Sequence, residues 1–259
     1  MTGRAIYVAT RIAWSGRRAV VLPLGLVLIL VLNPSLQNPW DVLMYATQDH
    51  QLVEIVLPLY LWIVTRDLRQ PWEALVGIRQ GQAEAWWAAH VGAAGVSAIL
   101  VAVGLAGLAV VVPLVTHGWS WQWGPWVRDN VSRAQMASPV WQVPWRWGIA
   151  TLGLLTLGLW ATGTLTQLLT MWWGSPWLAW GAVVLLCLVP LALEDSAARY
   201  ILWWVPGIQF SLSLHYASAP IVPAMWSVGY AVSLLAGIVG VGMILVQSSP
   251  WDMVSGGTI

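Results

Sequence analysis

Six times along this chain an apolar run recurs that is long enough to cross a bilayer, at about residues 18–36, 47–65, 88–115, 148–171, 177–193 and 225–246. A helix needs roughly 20 such residues to traverse ~30 Å of hydrocarbon. Only 8% of the 259 residues are charged and 59% are apolar, against roughly a quarter charged in a soluble domain. The expectation is an all-α membrane protein with six transmembrane helices and no separate soluble domain.

The segments between the runs refine that expectation. Residues 1–17 place Arg4 and Arg11, with Arg18 just beyond, at intervals of seven, opposite Ile6, Ala9 and Ala13, a pattern that lays a helix flat on the membrane surface. The run Ala19 to Leu32 ends at Asn33-Pro34 with no small-x-small cleavage pattern, so it is expected to stay as the first span. The stretch NPSLQNPWDVLMYATQDHQ, residues 33–51, looks like a polar connection. The loop 117–147 holds Trp119, Trp121, Trp123, Trp126, Trp141, Trp145 and Trp147, amphipathic rings suited to headgroup depth. In 200–220, Pro206-Gly207 divides an apolar stretch into halves too short to cross, predicting a re-entrant or interfacial hairpin.

Arginine counts set an orientation. With the N-terminus inside, seven arginines face the cytoplasm (Arg4, Arg11, Arg17, Arg18, Arg66, Arg69 and Arg79). Arg128, Arg133, Arg146 and Arg199 face out. The positive-inside rule therefore favours a multi-pass protein with both termini cytoplasmic, in what is expected to be a bacterial-type inner membrane.

All eleven basic residues are arginine. Without lysine the chain has neither the P-loop amine that holds nucleotide phosphates nor a Schiff-base amine, which excludes a self-powered ATPase and a retinal pump. The single cysteine, Cys187, rules out an intrachain disulfide. Among the histidines, His50, His117 and His215 fall on the external side and His90 is alone near the cytoplasm. None share a preformed ligand spacing, so no metal or haem is expected. No hydrolytic grouping emerges, and a net charge of +1 gives no reason to invoke nucleic acid.

The most charged segment is RDLRQPWEALVGIRQGQAEAWW, which includes residues 68–84. Pro71 suits a first helical turn, and Leu75, Val76 and Ile78 form an apolar side, so a short amphipathic helix is expected. It is shaped to dock in a groove of a soluble partner, and equally to be a solvated loop helix.

In order of elements the chain resembles the permease subunit of ATP-binding-cassette type 2 transporters: interfacial helix, two spans, charged cytoplasmic helix, two spans, tight turn, span, broken external hairpin, last span. That resemblance implies a coupling helix at Trp72 to Arg79, with Arg69, Trp72, Glu73, Leu75 and Arg79 contacting a separately encoded ATPase. The ATPase would bring ATP and magnesium, this chain no cofactor, and a second permease chain would complete the path. The uncharged WWGSP turn departs from the pattern and offers no obvious second contact.

Polar residues inside spans are costly unless they face protein or water. Thr156, Gly163, Gln167 and Thr170 share one face of the fourth span, where they would line a substrate path or bond between helices. His50 and Glu54 are i,i+4 neighbours near the external end of the second span, either a titrating vestibule pair or an interface ion pair. Gly229, Ser233 and Gly237 form a small-residue face on the last span that permits close helix approach. Two functions follow: a permease subunit exporting a hydrophobic or amphipathic substrate, or a membrane anchor or scaffold subunit of a larger complex, redox complexes included.

Overall fold

A computed structural model describes residues 38–48, 51–65, 83–116, 120–130, 143–193 and 224–248, together with Ile6. These residues are mostly helical, with no strand among them, and make seven helices joined by short turns and the irregular stretch 120–124: α1 Pro39–Ala46, α2 Leu52–Thr65, α3 Ala83–Thr116, α4 Pro125–Asn130, α5 Pro144–Trp173, α6 Pro176–Leu193 and α7 Ala224–Ser248. The helices α3, α5 and α7 are long and apolar enough to cross a membrane, while the apolar parts of α2 and α6 are shorter. The expected interfacial helix at 1–17 apart from Ile6, the first span at 18–36, most of the charged helix at 68–84 and the hairpin at 200–220 lie outside the described residues.

Local chemistry sets the helix ends. The Asn38 side chain accepts from the Trp40 amide at 2.9 Å and Pro39 fills the first position of α1. This start needs no amide from Pro39 and satisfies one orphan donor. Helix α2 opens with one wide π turn, Leu52–Val56. The turn comes directly before Pro58, whose ring would clash with the carbonyl four residues back in a regular helix. Helix α5 ends on Gly174, left-handed at φ 66°, whose amide reaches the Thr170 carbonyl at 2.9 Å. Pro176 then starts α6, making a two-residue turn between antiparallel helices.

Helix α5 is the centre of the bundle, packed against α2, α3, α6 and α7. Of its most apolar window 56% is buried, against 44% for α3 and only 17% for α7, so α7 attaches by one stripe while α5 is surrounded. Helices α3 and α5 run antiparallel: Trp160 meets Val91, while Ala109, 18 residues further along α3, shares a buried cluster with Trp147, 13 residues back along α5. At one end of the bundle lie α1, α4 and the start of α5. At the other lie the start of α3 and the end of α7, joined by Gln247 Nε2 donating to Glu84 Oε1 at 2.7 Å.

Two expectations at the first end are revised by this packing. The stretch expected as a polar connection is more than that over its described residues, because α1 is buried along most of its length. Among the described residues of the Trp-rich loop, Trp123 and Trp147 are buried against α1, whereas Trp121 and Trp145 are exposed. Thr47 caps α1, and helix α2, in the region expected for the second span, begins at Leu52.

Candidate functional site

Where the helices of the bundle meet, large aromatic side chains reach across to backbone carbonyls of a neighbouring helix, three of them lying over glycines. Tyr60 of α2 donates its hydroxyl to the Ala94 carbonyl of α3 at 3.0 Å, and its ring closes on Gly163 of α5. Trp160 of α5 donates Nε1 to the Val91 carbonyl at 2.8 Å and covers Gly95, where an added Cβ would stand 2.8 Å from the indole. Trp87 of α3 donates to the Val239 carbonyl at 3.1 Å and covers Gly242 of α7 in the same way. Trp180 of α6 donates to the Pro58 carbonyl of α2 at 3.1 Å. Helical carbonyls have a second lone pair, so these bonds leave the helix ladders intact. A buried indole or phenol finds its acceptor while the missing Cβ lets the backbones approach.

The face of α5 predicted to be functional looks into this junction. Gly163 lies directly against the Tyr60 side chain. Thr156 and Thr170 do not bond between helices: their hydroxyls donate to the carbonyls four residues back, Leu152 and Thr166, at 2.7 Å each. Thr162, Thr164 and Thr166 do likewise. This back-bonding satisfies the hydroxyl inside hydrocarbon without a partner helix. Gln167 is different, being 2% exposed with a side-chain carbonyl oxygen that no donor meets. Thr151 carries a second unmet buried oxygen, but sixteen residues of helix turn it about 160° from Gln167, so the two do not share a face.

Of the remaining predicted residues, Glu54 is exposed in the π turn of α2, while its proposed neighbour His50 lies outside the described residues. Arg69, Trp72, Glu73, Leu75 and Arg79 also lie outside them. His90 is buried, with its ring 4.2 Å from Trp86 and Nδ1 2.9 Å from the Trp86 carbonyl. A carbonyl only accepts, so Nδ1 carries the hydrogen. No cluster of three or more His, Cys, Asp or Glu side chains able to hold a metal occurs among the described residues.

A second constellation, missed in the sequence, holds the first end together. Asp41 is fully buried and accepts from the amides of Trp126 at 3.3 Å and Val127 at 3.2 Å, capping α4 from a different helix. Its carboxylate stands where a Cβ of residue 124 would be, which makes Gly124 necessary there. Asn38 Nδ2 donates to the Gln122 carbonyl at 2.8 Å, and Trp40 Nε1 to the Ser120 carbonyl at 3.0 Å. Burial raises the Asp41 carboxyl above its ordinary range, opposed by the amides of Val127, Trp126 and Gly124 and by the Arg128 charge. The Asn38-Pro39-x-Asp41 start was a legible helix signal. The partner of Asp41, some 85 residues away, was not.

No family model, no curated protein and no solved structure matches this chain.

Proposed function

We propose that this protein is the six-span permease subunit of an ATP-driven transporter of the ATP-binding-cassette type 2 kind, powered by a separate ATPase. In this reading both termini are cytoplasmic and a hydrophobic or amphipathic substrate is exported. One observation supports it most. Thr65 and Ala83, the flanks of the charged segment, end α2 and begin α3, and the start of α3 shares its end of the bundle with Gln247. The α5–α6 turn at that end has no charged residue, so Arg66, Asp67, Arg69, Glu73 and Arg79 supply the charged surface that a soluble motor would meet. The absence of lysine agrees, since the phosphate-binding amine belongs to the partner.

Within this reading Gln167 is the residue of the α5 face with polarity left over for a substrate. Tyr60 over Gly163 closes the bundle beside it, and rocking of α2 against α5 would open that level.

Purification from the native membrane tests the proposal. Recovery of a stoichiometric P-loop ATPase, with Glu73→Ala and Leu75→Ala leaving ATP hydrolysis but abolishing its response to substrate, is the expected result. A preparation without any nucleotide-binding partner but with visible absorbance of a redox group would replace this reading with that of an anchor subunit.

A further inference from the structure

The α5–α6 turn carries four large apolar side chains that stand largely exposed among the described residues. Trp172 is 72% exposed, Trp173 46%, Trp177 54% and Leu178 64%. All four flank the left-handed Gly174 and Ser175, and no Asp, Glu, Arg or Lys occurs anywhere from residue 147 to 193. At the other end of the same helix Trp145 is also exposed, with the Arg146 guanidinium 5.4 Å from its ring centre.

The distance between these two groups identifies what covers them. The 27 residues from Trp145 to Trp172 rise ~40 Å at about 1.5 Å each. A bilayer with its headgroup layers is about 40–45 Å thick, and exposed tryptophan concentrates in those layers, where the ring is wetted on one side and apolar on the other. An arginine beside one aromatic group suits lipid phosphates.

We infer that Trp172, Trp173 and Trp177 anchor the α5–α6 turn in the lipid headgroup layer, so that the turn is membrane-embedded rather than a docking surface for a soluble protein. Helix α5 then acts as a ruler, held at one face by Trp145 and Arg146 and at the other by the turn. The inference needs the chain to be in a bilayer but does not need it to be a transporter.

Nitroxide labels at Ser175→Cys and, separately, Leu178→Cys test it, in a Cys187→Ala background reconstituted in phosphatidylcholine–phosphatidylglycerol vesicles without any partner. Collision with oxygen and with a water-soluble nickel chelate reports depth. The Ser175 label should lie at phosphate level and the Leu178 label deeper by about one turn, with several-fold less nickel access. Bulk-water nickel access at both sites would overturn the anchor. Adding Trp172→Ser, Trp173→Ser and Trp177→Ser, all on the surface, should move the Ser175 label towards water, and an unmoved label would equally sink the proposal. Loss of the ATPase partner in purification would leave these results untouched, so the two proposals fail separately.

Discussion

The hydroxyl of Tyr60 donates to the Ala94 carbonyl at 3.0 Å while the ring of the same residue fills the place of a Cβ on Gly163. One side chain thereby ties α2 to both α3 and α5, at the level of the face predicted to be functional.

From this junction comes a double-mutant prediction. Tyr60→Phe removes one interhelical bond and should cost about 0.6–1 kcal/mol. Gly163→Ala forces a methyl into the phenol and should cost about 1–3 kcal/mol. Because the hydroxyl is the atom nearest that methyl, the pair should cost less than the sum of the singles. Thermal unfolding in detergent measures all three, and strict additivity would show that the two residues do not touch.

Glycines on the other helices divide into those covered and those open. Gly95→Ala and Gly242→Ala collide with the Trp160 and Trp87 rings and should lower the unfolding temperature. Gly229→Ala and Gly237→Ala meet nothing within 4 Å and should raise the stability of the protomer by about 0.5–1 kcal/mol, the usual helix gain over glycine. Equal destabilisation by all four would mean that the small-residue face of α7 is packed within the protomer after all.

Asp41 gives a pH dependence. Its carboxyl is raised by burial, so the folded state holds the proton more tightly than the unfolded one. The contribution to stability is therefore complete below the ordinary carboxylate range and is lost as pH rises through the raised value. Asp41→Asn should flatten that slope. At neutral pH the variant should also lose about 1–3 kcal/mol, because its amide offers one acceptor to the two amides of Trp126 and Val127. A wild-type slope retained in the variant would assign the titration to another group.

For Gln167 stability and function should separate. Gln167→Leu removes an unmet buried oxygen and should stabilise by about 1 kcal/mol, whereas Thr156→Val and Thr170→Val should be nearly neutral since their hydroxyls bond only to their own helix. Transport assayed in proteoliposomes should fall in the Gln167 variant alone. Full transport there would remove Gln167 from the substrate path.

Much of the helix content was legible because it depends on solvent. The apolar runs at 88–115, 148–171, 177–193 and 225–246 lie in the helices Ala83–Thr116, Pro144–Trp173, Pro176–Leu193 and Ala224–Ser248, of which the first, second and fourth are long and apolar enough to cross a membrane, since an apolar run of that length must satisfy its backbone internally once in hydrocarbon. Which side chains meet was not legible. The threonines of α5 looked like candidates for bonding between helices, yet the aromatic residues make those bonds, and a hydroxyl that satisfies itself on its own helix has the same sequence as one that does not. Nor could hydropathy find Asp41, because a lone carboxylate in a short polar stretch reads as solvated until α4 brings two amides to it. The sequence by itself determined that the chain is helical and apolar enough for a membrane, and that it lacks the lysine of a phosphate-binding loop. Tertiary structure alone decided that α5 is central and α7 peripheral, and that Gln167 keeps an unmet oxygen. The physical reason is that hydrophobic partition acts on each segment separately, whereas close packing and hydrogen bonding depend on which residues of distant segments come within a few ångströms of one another.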